Sequence, residues 1–272
     1  MAGDEAETGG NQTGTTAEPG GMSATQPAAT PVPAAPKRLY RHRLTTRLWH
    51  WTNAVTIMVM LGTGLMILNA HPHLYWGQYG ANPDPAWFHV SWVFQGGHVP
   101  GWLTIPSSYN LALARHWHLT FAWVFAFGLL GFMVASLINR HFQKDMVIRP
   151  RDLSPAHIWF DIKEHLAFRF HDAANPGAFN VLQKLSYVGV IFVLIPAMIY
   201  TGLCMSPGFT AVAPWMLDLV GGRASARSIH FIAAMGLAGF AIVHLTLVIL
   251  AGPINEVRSM VTGWWTVPQE EH

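Results

Sequence analysis

The chain has 272 residues, of which 51% are hydrophobic and only 11% charged, with a formal net charge of +2. Soluble domains carry about 25% charged residues, so this composition excludes an ordinary soluble globule and points to lipid.

The first 36 residues place Asp4, Glu5, Glu7 and Glu18 among Gly, Thr, Ala and Pro, with neither a basic n-region nor an apolar h-region. Residues 1–36 are expected to form a disordered cytoplasmic tail and not a signal peptide; residues 37–272 read as one membrane domain. The Pro-rich "ATPVPAAPKRLYRHR" brings the chain to the membrane surface. Four stretches, near 49–69, 117–139, 185–206 and 229–251, then lack Asp, Glu, Lys and Arg for long enough to cross a bilayer, which takes about 20 residues. Backbone groups in hydrocarbon must be satisfied internally, so these spans are expected to be helices.

The outer loop from about 70 to 114 is dense in aromatics, Pro and Gly. A loop that long is either functional or a partner contact, or else an aromatic belt on the headgroups. Its apolar run "AWFHVSWVF" is too short to cross and belongs at the interface or inside a folded loop. In the inner loop, "LSPAHIWFDIKEHLAFRF" predicts an interfacial amphipathic helix with Ser154 as cap and Pro155 in its first turn. Trp159, Ile162, Leu166 and Phe170 would form its apolar stripe, opposite Asp161, Lys163 and Glu164. Of the 16 Lys and Arg residues, 13 fall before the first span, between the second and third, or after the fourth; only Arg115, Arg223 and Arg227 fall on the other side. The positive-inside rule then puts both termini in the cytoplasm. The expected fold class is an all-α integral membrane four-helix bundle.

The single cysteine, Cys204, excludes an internal disulfide, a CxxC metal site and a CxxCH attachment site, so any haem is held without thioether bonds. Most of the 15 histidines fall in loops, but four do not: His50 opens the first span, His118 opens the second, and His230 and His244 lie in the fourth. Ionisable side chains within membrane helices are rare and functional by default; the plain alternative for any single one is an interhelical hydrogen bond. With span directions alternating, His118 and His230 share the outer level, His50 and His244 the inner. The step of 14 residues from His230 to His244 is a rise of about 21 Å ending about 40° short of four turns, so both face one interior.

Two imidazoles from facing helices make a ligand set for a haem iron. Zinc is the rival, but it takes four ligands or three and a water, and no carboxylate or thiolate lies at these depths. His116 competes with His118, and His141 offers an alternative inner ligand. The arginine spacing favours His118, and the position of His141 beyond Arg140 suggests the interface. Arg47, Arg115 and Arg227 each precede a histidine by three, within the echoing motifs "RLWHWTNA" and "RHWHLTFA" and within "ARSIHF". That spacing puts arginine and histidine on one helical face. Each guanidinium then either clamps a haem propionate or only snorkels and marks the span end. The third span has no histidine and is expected to pack without ligating.

From about Arg43 to Trp265 the chain resembles the bacterial cytochrome b561 and nickel-iron hydrogenase cytochrome b superfamily, which includes membrane subunits of formate dehydrogenase and thiosulfate reductase. The resemblance is carried by "RLWHW", "ARHWHLTFAW", and "ARSIHF" followed by "VHLTLVILAG"; "INEVRSMVTGWW" and "LTIPSSYNLALARHWH" look closest to the thiosulfate-reductase-like branch. It implies a multi-pass cytochrome of the bacterial inner membrane with two bis-histidine haem b groups, ligated by His50 with His244 and by His118 with His230. It also implies electron transfer in a respiratory chain between membrane quinone and a periplasmic redox subunit of molybdopterin oxidoreductase or hydrogenase type, with no nucleic-acid partner. Related subunits hold a quinone near the cytoplasmic haem, but no sequence signal marks such a site here. Two rivals stand beside this reading: a stand-alone superoxide:quinone oxidoreductase of the same superfamily, and a histidine-lined metal or proton transporter.

Overall fold

Four long apolar helices dominate the computed structural model, which describes residues 38–81, 84–139, 154–166 and 181–267. The expected tail, His141 and Phe170 lie outside the described residues. The long helices are α1 (Leu44–Ala70), α2 (Leu111–Ile138), α4 (Val181–Met205) and α7 (Arg223–Leu250). Each begins four to six residues before its uncharged run. A guanidinium in the first turns of a membrane helix can snorkel to the headgroups, so the charge does not end the helix. As a result Arg47, Arg115 and Arg227 lie on helical backbone and share a face with their histidines.

Asn110 caps α2, its side chain accepting from the Leu113 N–H at 3.0 Å. Within α4 the turn Val190–Leu194 is π-helical and runs directly into Pro196. A proline has no N–H to donate and its ring presses on the carbonyl four residues back, so the helix widens there instead of breaking. The four helices meet in a mid-depth core of Met60 from α1, Phe125 from α2, Ile195 and Met198 from α4, and Ala233 and Leu237 from α7. Apolar side chains on the outer faces remain exposed, as Met58, Phe127 and Ile242 show; they face lipid in a multi-pass membrane protein.

The short helix α3 (Pro155–Leu166) forms in the inner loop, with Trp159 exposed as an interfacial stripe requires. Asp161 corrects the expected polar face. It is buried, and its Oδ2 accepts at 3.1 Å from the N–H of Val181, the first residue of α4. Orphan N–H groups and the positive end of the dipole at a helix start draw a carboxylate inward.

The outer loop is folded, not irregular. Strands β2 (His73–Leu74) and β3 (Phe88–His89) pair antiparallel across its first half. It is then laid onto α7: the Ser228 hydroxyl donates to the Tyr75 carbonyl at 2.6 Å and accepts from Trp87 Nε1 at 2.8 Å, while Ser225 Oγ accepts from the Gly77 N–H at 2.7 Å. Its second half dips alongside α1, where the Ile105 N–H donates to the Gly62 carbonyl at 3.0 Å. Gly62 makes room for this, since a Cβ there would sit 2.7 Å from Ile105 Cγ1. After α4 come two short helices, α5 (Pro207–Val212) and α6 (Trp215–Val220).

At the opposite end, β1 (Arg38–Tyr40) pairs antiparallel with β4 (Trp264–Thr266), which follows α8 (Pro253–Thr262). Trp265 is fully buried there, its Nε1 donating to Glu256 Oε1 at 2.8 Å, and Arg41 stands 3.6 Å from Glu256 and 5.2 Å over the Trp265 ring.

Candidate functional site

At one end of the bundle α2 presents His118 and α7 presents His230, with ring centroids 6.3 Å apart and planes inclined at 60°. Each imidazole is held from behind by a threonine on the neighbouring helix. His118 Nδ1 lies 3.0 Å from Thr63 Oγ1 of α1, and His230 Nδ1 lies 2.9 Å from Thr201 Oγ1 of α4. Thr63 Oγ1 is 2.8 Å from the Val59 carbonyl and Thr201 Oγ1 is 2.6 Å from the Ala197 carbonyl. A hydroxyl has one proton to give; with that proton on the carbonyl, each threonine accepts from Nδ1–H. The tautomer follows, and both Nε2 lone pairs are left for a metal.

The sequence reading missed these threonines; the third span, expected to pack without ligating, packs here with Thr201 behind the imidazole of His230. The signal was present as an echo, Thr63-Gly64-Leu65 in α1 and Thr201-Gly202-Leu203 in α4. An added Cβ at Gly64 or Gly202 would touch the Cε1 of His118 or His230, at 3.4 and 3.6 Å. The site is thus built from two similar halves, each a Thr-Gly helix cradling the histidine of its neighbour.

Arg115 and Arg227 lie at this same end, close enough to repel each other, and neither has a hydrogen-bonding or anionic partner among the described residues. His71, the residue after α1, stands near both. Burial, and then the charges of Arg227 and Arg115, hold its imidazole below the usual histidine range. Uncompensated cations beside a histidine pair make a receptor for an anion. His116 is exposed, and its backbone carbonyl accepts from Thr120 Oγ1 at 2.9 Å.

At the other end His50 of α1 and His244 of α7 have centroids 6.1 Å apart and planes at 62°. Phe240, one turn before His244, stacks on it at 5.7 Å, and Trp49 stacks on Phe132 at 4.0 Å. Arg47 turns one nitrogen, Nη2, to the Val261 carbonyl. Its Nε, together with Trp49 Nε1 and His50 Nδ1, is buried without a hydrogen-bond partner among the described residues. Each such group costs about 1–3 kcal/mol, so three together mark a place that lacks the acceptor it was built around. Among the described residues no group of three or more His, Cys, Asp and Glu side chains gathers to hold a metal ion.

The family model for prokaryotic cytochrome b561 matches residues 41–263, a stretch that contains all four histidines. The chain belongs to the prokaryotic cytochrome b561 family. Curated relatives carry provisional names. A Ni/Fe-hydrogenase B-type cytochrome subunit of Cupriavidus necator is 24% identical over 85% of this chain and 88% of its own length. A protein-methionine-sulfoxide reductase subunit YedZ1 of Azospira oryzae is 24% identical over 75% and 87%. Cytochrome YdhU of Escherichia coli is 25% identical over 84% and 75%. No solved structure matches.

A cytochrome b of this family carries haem b, and both histidine pairs of this cytochrome fit one. An imidazole nitrogen sits about 2 Å from a first-row metal and about 1.1 Å from its own ring centroid, so linear bis-imidazole ligation sets centroids about 6.2 Å apart. The two measured separations, 6.1 and 6.3 Å, straddle that value. The acceptor-deficient nitrogens at one end and the uncompensated arginines at the other suit the two carboxylates that a haem b carries.

Proposed function

We propose that this cytochrome is a di-haem electron-transfer subunit of the bacterial inner membrane, working between the quinone pool and a periplasmic oxidoreductase of molybdopterin or hydrogenase type. One observation carries the reading: two histidine pairs, each drawn from two helices at ligation distance, at opposite ends of one bundle. His118 and His230 would hold one haem at the outer level through Nε2, and His50 and His244 would hold the other at the inner level. Arg115 and Arg227 would neutralise the propionates of the outer haem, and Arg47 Nε and Trp49 Nε1 would donate to those of the inner haem. When bound, haem supplies one-electron redox chemistry. The chain orients the imidazoles through Thr63 and Thr201, and its core of Met60, Phe125 and Leu237 keeps water from the space between the two levels. Both termini lie in the cytoplasm, which puts the threonine-backed pair on the periplasmic side. The names of the hydrogenase and sulfoxide-reductase relatives support a redox partner subunit there.

Haem content per chain with a reduced-minus-oxidised spectrum tests this. Two b-type haems are expected in the wild type, and one in each of His50→Ala, His118→Ala, His230→Ala and His244→Ala. The first and last of these should lose the same spectral component, and the middle two the other. Haem content unchanged in all four variants would overturn the assignment. Quinone reduction by superoxide, catalysed by the isolated protein, would instead make it a self-sufficient oxidoreductase, and a colourless protein binding zinc would make it a transporter.

A further inference from the structure

Arg38 of β1 and Arg258 of α8 converge on a cleft of about 220 Å³ completed by Thr262, Trp264 and Thr266. Neither guanidinium has a carboxylate partner among the described residues. Arg258 donates to the neutral Asn255 Oδ1 at 2.9 Å and to Thr266 Oγ1. The nearby Glu256 is turned away, held by Arg41 and by Trp265 Nε1. Two positive charges therefore share a cleft that no carboxylate among the described residues compensates, and the guanidinium fork matches phosphate oxygens.

Beside the cleft the surface is apolar. Ile254, Val257 and Val261, at i, i+3 and i+7 on one face of α8, are 83%, 43% and 53% exposed. Tyr40 and Trp264 meet edge to face at 5.3 Å and are both exposed, as residues anchored at a headgroup boundary are. A cationic cleft on the rim of an apolar helix face, at the end of a membrane bundle, has the two halves needed to hold an amphiphile.

We propose that this cleft binds the phosphodiester of an anionic phospholipid, with the acyl chains lying along the Ile254–Val261 face. A zwitterionic headgroup brings its own cation and leaves the arginine pair uncompensated. Free phosphate leaves the apolar face uncovered. The site is separate from the histidine pairs and stands whether or not they ligate haem.

Native mass spectrometry of the full-length protein, released in mild detergent from phosphatidylcholine vesicles containing phosphatidylglycerol, tests the proposal. The wild type should retain phosphatidylglycerol in preference to phosphatidylcholine. Arg38→Gln combined with Arg258→Gln should weaken that retention by roughly 30-fold, the expectation for two surface arginines. Arg43→Gln, an exposed arginine outside the cleft, should leave it unchanged. Should the double variant fail to fold, Arg38→Gln alone, which breaks no side-chain hydrogen bond among the described residues, should still weaken retention several-fold. Equal retention in wild type and Arg38→Gln, no preference over phosphatidylcholine, or displacement by inorganic phosphate would each overturn the proposal.

Discussion

Thr63 and Thr201 show how much a single hydroxyl can set. Each backs one histidine of the His118–His230 pair, whereas His50 Nδ1 at the other end is buried with no hydrogen-bond partner among the described residues. A hydrogen bond from Nδ1–H makes an imidazole a stronger donor to metal. Thr63→Val and Thr201→Val keep the side-chain shape and remove the acceptor. On the proposed ligation, each should raise the midpoint potential of the haem held by His118 and His230 and leave the other in place, read by spectroscopic redox titration; haem affinity at that site should fall about 10–100-fold. His71 makes a pH-dependent prediction. Its folded value lies below that of the unfolded chain, so the unfolded state binds more protons as pH falls through the ordinary histidine range. Stability from this group is therefore present above that range and lost below it. Thermal unfolding in detergent should show a smaller acid-side loss for His71→Gln than for the wild type. At this scale the sequence revealed what is local: an arginine three residues before a histidine follows from helical geometry alone. It concealed what is not, because a threonine in an apolar span looks the same whether it bonds its own helix or reaches a histidine 55 residues away.

Among the elements, the four spans were legible because bilayer thickness leaves one solution for a long uncharged run. Their starts were not, since Arg47, Arg115 and Arg227 looked like boundaries and are interior to the helices. The face of α3 was misread at Asp161 because a helical wheel carries no knowledge of the Val181 N–H that needs an acceptor. The outer loop was the least legible element, since small residues fasten it. Ser225 and Ser228 carry no pattern, and neither does Gly222, which turns into α7 at φ 110°. A Cβ at Gly222 would lie 2.5 Å from Gln78 Cα and 2.6 Å from the Gly77 carbonyl oxygen. Gly222→Ala should therefore cost at least the roughly 1–3 kcal/mol of a strained backbone, and limited proteolysis should cut the loop near Gln78 sooner than in the wild type. Ser228→Ala removes one polar clasp at the same place. Its effect should be smaller, about 1–2 kcal/mol.

Over the whole molecule, α1 packs on α2 and α4 on α7, and the outer site lies where a histidine from each pair meets the other. Fold class followed from composition, and the matched depths of the histidines followed from counting residues along helices of known rise. The closure of the inner end did not follow, because β1 and β4 are three-residue strands more than 220 residues apart and nothing in either announces its mate. That closure centres on Trp265. Trp265→Ala removes a fully buried ring and one of the two groups that hold Glu256, and should cost about 3–5 kcal/mol, seen as a lowered unfolding temperature with the haem proposed at His118 and His230 retained.

The pairing of Arg38–Tyr40 with Trp264–Thr266 also constrains sidedness. Once those backbones are stitched together, no inverted or dual insertion can present the two stitched segments to different compartments. A cysteine introduced beside either strand, probed with a membrane-impermeant maleimide in intact cells and in inverted vesicles, therefore reports the orientation of the entire protein, and both positions must give the same answer.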